Sequence, residues 1–230
     1  MQNMNERQRV VLLTGDGKGK TSSALGMALR AAGHGMRVFF LQFMKARSDV
    51  GEVAALRRFP EVEFVQCGRG FVPPPSSPAF AAHRDAARDG LSLSRQKIAS
   101  GDYRMVVLDE ICGAISLGLL DESEVLGVLR SATRPEGLVN PPCPATRPEG
   151  GSASPHEATS SQAAPLCPAL HPEGGSASPL EATPSRGRVL VLTGRGATPA
   201  LVAFADTVSR VDCVKHGYDA GWPAMEGVEL

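Results

Sequence analysis

Five short apolar runs punctuate the chain: RVVLLT at 9–14, RVFFLQF at 37–43, VEFVQC at 62–67, RMVVLD at 104–109 and RVLVLT at 188–193. They are nearly continuous in Val, Leu and Phe, the pattern of strands covered on both faces. Alternation with helix-compatible stretches predicts an α/β fold with a mostly parallel sheet flanked by helices. Two helix starts are legible. Asp121 with Glu124 three residues later forms a capping-box pattern ahead of VLGVL, and Thr198–Pro199 supplies a cap and a first helical residue ahead of ALVAFA.

One region breaks this rhythm. Residues 133–186 hold 11 of the 18 prolines and no Phe, Tyr, Trp, Ile or Lys, and CPATRPEGGSASPHEAT returns 24 residues later as CPALHPEGGSASPLEAT. A duplicated Pro/Gly/Ser/Ala-rich tract buries too little apolar surface to offset its ordering entropy, so it reads as a disordered insertion. The expected domain is therefore 1–132 joined to 187–230, with a helix ending near Arg130 leading back to the strand at Arg188.

Charge narrows the function classes. Twenty-four basic residues balance 24 acidic ones, which leaves no basic footprint for a nucleic acid or an anionic membrane and favours small-molecule or protein partners. No 18-residue apolar run exists, and the opening MQNMNERQRVVLL lacks the features of a secretory signal, so a cytoplasmic protein is expected. Five cysteines without a C-x-x-C pair predict reduced structural thiols.

The first strand runs into TGDGKGKTSS. Gly15, Gly17 and Gly19 let backbone N–H groups turn toward an anion, and a helix starting near Lys20 adds its N-terminal dipole. The Lys20 ammonium supplies a point charge, and Thr21 offers a hydroxyl to magnesium. Spacing departs from the usual G-x-x-x-x-G-K-[ST] loop by one residue, with Thr14 at the expected first glycine. Asp16 and Ser22 complete the loop, and Lys18 either neutralises phosphate or is solvated. The run MVVLDE delivers Asp109 and Glu110 to the carboxyl end of a buried strand, the edge where open α/β sheets bind ligands. Two acids there suit a metal ion; alternatively, one caps the following helix.

The segments TGDGKGKTSSALGMALRAAGHG, LQFMK, GRGF, VVLDE, LTGRGATPALVAFAD and VKHGYDAG together resemble the ATP:corrinoid adenosyltransferases. The altered loop is normal in that family. The resemblance implies a P-loop NTPase-like (RecA-like) domain that transfers the 5′-deoxyadenosyl group of ATP to a reduced cob(I) corrinoid and releases triphosphate. It implies ATP contacts from Gly15 through Ser22 and from Arg30, and a metal-side role for Glu110. Gly70 and Phe71 are placed at the corrinoid, with Phe71 helping to displace the lower axial ligand unless it is plain core. Pro73 stands where family members often carry Trp. Magnesium, a flavoprotein reductant, a homodimer, and cobalamin, cobinamide or cobyrinic acid a,c-diamide as acceptor follow from the same resemblance. Lys215, His216 and Asp219 match the family while leaving packing, subunit contact and active-site closure open.

Overall fold

In the computed structural model the described residues are 8–133, 187–223, 225 and 227, all within one unit that joins Met1–Pro135 to Ala182–Leu230. The 133–186 insertion, Thr133 apart, lies outside the described residues. Six strands form one sheet: β1 (Arg9–Thr14), β2 (Val38–Gln42), β3 (Val62–Gln66), β4 (Met105–Asp109), β5 (Val189–Thr193) and β6 (Thr207–Arg210), in the order β3-β2-β4-β5-β1-β6. Every pairing is parallel, so the expected mostly parallel sheet is wholly so.

The apolar runs are continuous because both faces are covered. Along β2, Val38 and Phe40 enter a cluster with Ala24, Ala28 and Ala31 of α1 (Lys20–Gly33). Phe39 and Leu41 face the other way, against residues of α3 (Phe80–Ser100) and α5 (Glu122–Thr133). Phe39 and Phe40 are fully buried, each contributing about 1.5–3 kcal/mol relative to exposure. The alanine stripe brings the α1 backbone close to the sheet. Shorter helices α2 (Gly51–Leu56), α4 (Ile111–Ser116) and α6 (Pro199–Phe204) complete the layers.

Local signals behave as their chemistry requires. Asp121 Oδ1 accepts the Ser123 N–H at 2.8 Å at the start of α5, and Thr198 Oγ1 accepts the Leu201 N–H at 3.3 Å with Pro199 as the first residue of α6. The α5 helix continues past Arg130 to Thr133. Among the described residues, Cys67, Cys112 and Cys213 are free thiols, and burial pushes the Cys67 and Cys112 thiols up to about 11 and about 12. Among the same residues no helix is long and apolar enough to cross a membrane.

Candidate active site

A cleft of about 690 Å³ opens at the carboxyl edge of the sheet. Gly17, Lys18, Gly19, Lys20, Thr21 and Ser22 of the β1–α1 loop form one wall. Gly19 caps α1 with φ 116°, and nothing lies within 4 Å of where its Cβ would stand, so backbone conformation alone demands glycine there. The other loop glycines answer to a different constraint. Cβ atoms at Gly15 and Gly17 would stand 2.4 Å from the Val211 carbonyl oxygen and 2.5 Å from that of Asp212. The chain leaving β6 crosses this close to the loop, and Gly17 N–H donates to Val211 O at 2.7 Å. Gly17 therefore gives its N–H to a neighbouring strand exit and not to an anion, contrary to expectation, and Gly15 and Gly17 are both needed as glycine to make room for that exit.

Lys20 is buried, and its ammonium donates to the Gly17 carbonyl at 2.6 Å. Burial, then repulsion from Arg195, lowers its pKa below the ordinary lysine value. Thr21 Oγ1 donates to Asp109 Oδ1 at 2.9 Å, joining the loop to the acid strand across the intervening β5. Thr193, at the end of β5, fills that gap: its hydroxyl donates to Asp109 Oδ1 at 2.7 Å and accepts the Glu110 N–H at 2.9 Å. Asp109 is fully buried and also accepts from Gln42 Nε2 at 3.0 Å, so it stands behind the cleft wall. Glu110 reaches the cleft itself. It caps α4 in the left-handed region at φ 67°, the sole non-glycine residue at positive φ among the described residues; such strain gathers at functional sites. Burial, then the neighbouring Asp109 carboxylate, raises its pKa. Glu110 is thus the backbone N-cap of α4, with no side-chain cap hydrogen bond, while its carboxylate lies at the cleft.

Other expected residues lie elsewhere. Asp16 is exposed and Gly15 sits beneath Val211; neither lines the cleft. Arg30 is an exposed residue in the last turn of α1, about 15 Å along the helix axis from Lys20 at 1.5 Å per residue. The fold of this chain does not bring it to the loop. Gly70, with φ 86°, turns the chain after β3, and Phe71 follows it at 95% exposure, which overturns the core alternative for Phe71. His216 lines the cleft.

Two cleft cations escaped the sequence reading. Arg195 follows β5 and Lys45 follows β2, both in the cleft wall. Lys45 Nζ lies 3.8 Å from Asp109 Oδ2 and 3.5 Å from Glu52 Oε1. The available signal was positional: each sits just past a buried strand, at the edge that already carries the loop and the acids.

The model of the family described as ATP:corrinoid adenosyltransferase BtuR/CobO/CobP matches residues 6–139 and 178–230. The corrinoid adenosyltransferase of Pseudomonas aeruginosa is 32% identical over 229 residues, covering 98% of this chain and 85% of that protein. Corrinoid adenosyltransferase CobA of Salmonella typhimurium is 28% identical, with 99% and 88% covered, and the corrinoid adenosyltransferase of Escherichia coli K12 is 27% identical with the same coverage. Every side chain facing the cleft falls within the matched stretches, and the chain belongs to the ATP:corrinoid adenosyltransferase family.

Proposed function

We propose that this cleft holds ATP with its triphosphate against Gly17 to Ser22, and that the chain transfers the 5′-deoxyadenosyl group to the cobalt of a reduced corrinoid. The carrying observation is the convergence of Lys20, Arg195 and Lys45 with the Asp109–Glu110 pair around one cleft. In the reaction the cobalt(I) electron pair attacks C5′, the cobalt–carbon bond forms, and the C5′–O bond breaks with its pair leaving on triphosphate. Cobalt ends as cobalt(III). The protein's tasks are to stabilise that leaving group with fixed cations and N–H donors and to hold C5′ in line.

Oxygen donors from Thr21, Asp109 and Glu110 fit magnesium, which takes carboxylate and hydroxyl ligands. Thr21 and Glu110 would hold the ion, with Asp109 orienting Thr21 from behind. Burial and Asp109 keep the Glu110 pKa raised even though Lys45, Lys20 and Arg195 pull it down, which favours a further cation beside it. When bound, magnesium supplies positive charge at the phosphate oxygens. Lys20 would leave the Gly17 carbonyl for phosphate.

The exposed Phe71 beyond Gly70 supports a corrinoid contact at the 67–71 loop. A flavoprotein that reduces cobalt(II) and a homodimeric assembly are inferred from the family resemblance. Phosphorus NMR of the products, with and without cob(I)alamin, tests the reading. Triphosphate appearing only with cob(I)alamin is the expected result. ADP would indicate phosphoryl transfer, and ATP bound but unconsumed in both cases a nucleotide switch; either outcome overturns the proposal.

A further inference from the structure

Gln66, Gln42, Asp109 and Thr193 stand at one level of four neighbouring strands. Gln42 is the register partner of Gln66 on one side and of Asp109 on the other, and Thr193 follows Leu192, the partner of Leu108. Gln42, Asp109 and Thr193 are fully buried. Hydrogen bonds run along the row: Gln66 Nε2 donates to Gln42 Oε1 at 2.8 Å, and Gln42 Nε2 donates to Asp109 Oδ2 at 3.0 Å. Thr193 and Thr21 serve Asp109 Oδ1 at 2.7 and 2.9 Å. An ionised carboxylate only accepts, so Asp109 sets the direction of the row. Gln42 must turn its amide nitrogen to Asp109 and its carbonyl to Gln66, and Gln66 must donate.

The same positions grip the loop that carries Phe71. Cys67 N–H donates to Gln42 O and Gly70 N–H to Met44 O, both at 3.1 Å. A Cβ at Gly68 would stand 2.2 Å from the Met44 carbonyl carbon, so the two backbones are in direct contact. Met44 and Lys45 themselves line the cleft.

We propose, resting on the reading of the cleft above, that Gln42 is a positioning residue. It aims Asp109 at Thr21 and, through Gln66, ties that aim to the 67–71 loop, so the nucleotide loop and the Phe71 loop are set in one geometry. Neither glutamine lines the cleft, and both act through Asp109.

Gln66 is the place to test this, because it is only partly buried and its replacement leaves the buried members intact. Gln66→Glu exchanges a donor for an acceptor, so that whichever way the Gln42 amide turns, its carbonyl meets a carboxylate. Gln66→Met removes the donor without opposing the row, and Gln66→Lys keeps a donor. Titration calorimetry with magnesium and ATP, without corrinoid, should give a dissociation constant raised about tenfold in Gln66→Glu, about two- to threefold in Gln66→Met and near wild type in Gln66→Lys. In turnover with cob(I)alamin the KM for ATP should follow that order, and the corrinoid KM should rise with it. Equal ATP affinity in the Glu and Met variants would overturn the proposal. Should Gln66→Glu not fold, the comparison of Lys with Met decides on the same grounds, equality again overturning it. Failure of the wild-type chain to form an adenosyl corrinoid would sink the functional reading instead, while leaving the order of ATP affinities as a separate result.

Discussion

Thr193 donates its hydroxyl hydrogen to Asp109 at 2.7 Å while accepting the N–H of the next residue, Glu110, at 2.9 Å. One buried hydroxyl thus orients the inner acid and steadies the left-handed backbone of the outer one. Thr193→Val keeps the shape and removes both bonds, stranding a buried N–H. A stability loss of about 1–3 kcal/mol is expected, with a larger proportional loss of adenosyl transfer, and Thr193→Ser should restore both. Denaturant melts paired with triphosphate-release assays check it; a Val variant as active as wild type would show that this hydroxyl is ornamental.

Lys20→Ala should separate binding from folding. The ammonium is buried against the Gly17 carbonyl, and burial with Arg195 lowers its pKa, so removing it relieves a strained charge. Apparent ATP affinity should fall by ~10–100-fold, from a lost charged hydrogen bond worth about 1.5–3 kcal/mol, while the melting temperature without ligand barely moves. For the wild type the lowered pKa means that the free protein surrenders this proton at a pH below that of an exposed lysine. Bound phosphate holds the proton, so ATP affinity should decline through that window as pH rises, with net proton uptake on binding. Calorimetry in two buffers of different ionisation enthalpy reads that proton directly.

Glycines 17 and 19 should fail for different reasons. Gly17→Ala drives a Cβ into the Asp212 carbonyl and is expected to cost about 1–3 kcal/mol by overpacking. Gly19→Ala meets no atom, and its penalty of about 1–2 kcal/mol comes from the positive φ. Hydrogen exchange distinguishes them. The Val211 N–H, which donates to Thr14 O at 2.8 Å, should lose protection in the Gly17 variant and keep it in the Gly19 variant.

Phe71→Ala should leave the melting temperature within experimental scatter, because a side chain this exposed has no packing to lose. ATP binding should also be unchanged, with the effect confined to the corrinoid. Pro73→Trp, at the position of the missing family aromatic, should alter use of corrinoids that carry a lower nucleotide ligand more than those that lack one. Equal responses to the two corrinoid types would remove axial-ligand displacement from the account of this loop.

How far the sequence could be read follows from where the apolar residues sit. Strands β1, β2, β4 and β5 were legible because burial makes each a nearly continuous apolar run, and β3, at the sheet edge with only Val62 buried, because VEFV is rich in β-branched and aromatic residues. The β6 strand, TVSR, is exposed at all four positions and offers no such run, although its exit dictates two glycines of the loop. The long α3 helix hid for a related reason: its buried face includes Gly90 and Ser94, and Gly90 is there because a Cβ would stand 2.4 Å from Cys67 Sγ. Lys20 and the acid pair were legible as chemistry placed just after strands. Gln42 was not, since a single amide next to the end of RVFFLQF looks like the end of a strand until the register sets it between Gln66 and Asp109.

The insertion gives the remaining prediction. The α5 helix ends at Thr133, and the chain re-enters at Arg188, whose guanidinium donates to the Ile98 and Tyr103 carbonyls at 2.6 and 3.2 Å. Those bonds tie the start of β5 to α3 and to the segment ahead of β4. The family match stops at residue 139 and resumes at 178. Replacing 134–186 with a short Gly/Ser linker should therefore preserve the melting temperature and cobalt-dependent triphosphate release. Since closure entropy scales as about 1.5RT ln n, a linker of roughly 6–10 residues should stabilise the domain by about 1.5–2 kcal/mol. Loss of triphosphate release with an unchanged melt would show that the duplicated Pro/Gly-rich tract works in the reaction. A lowered melt would show instead that it docks on the domain, against the composition argument that it lacks the apolar surface to do so.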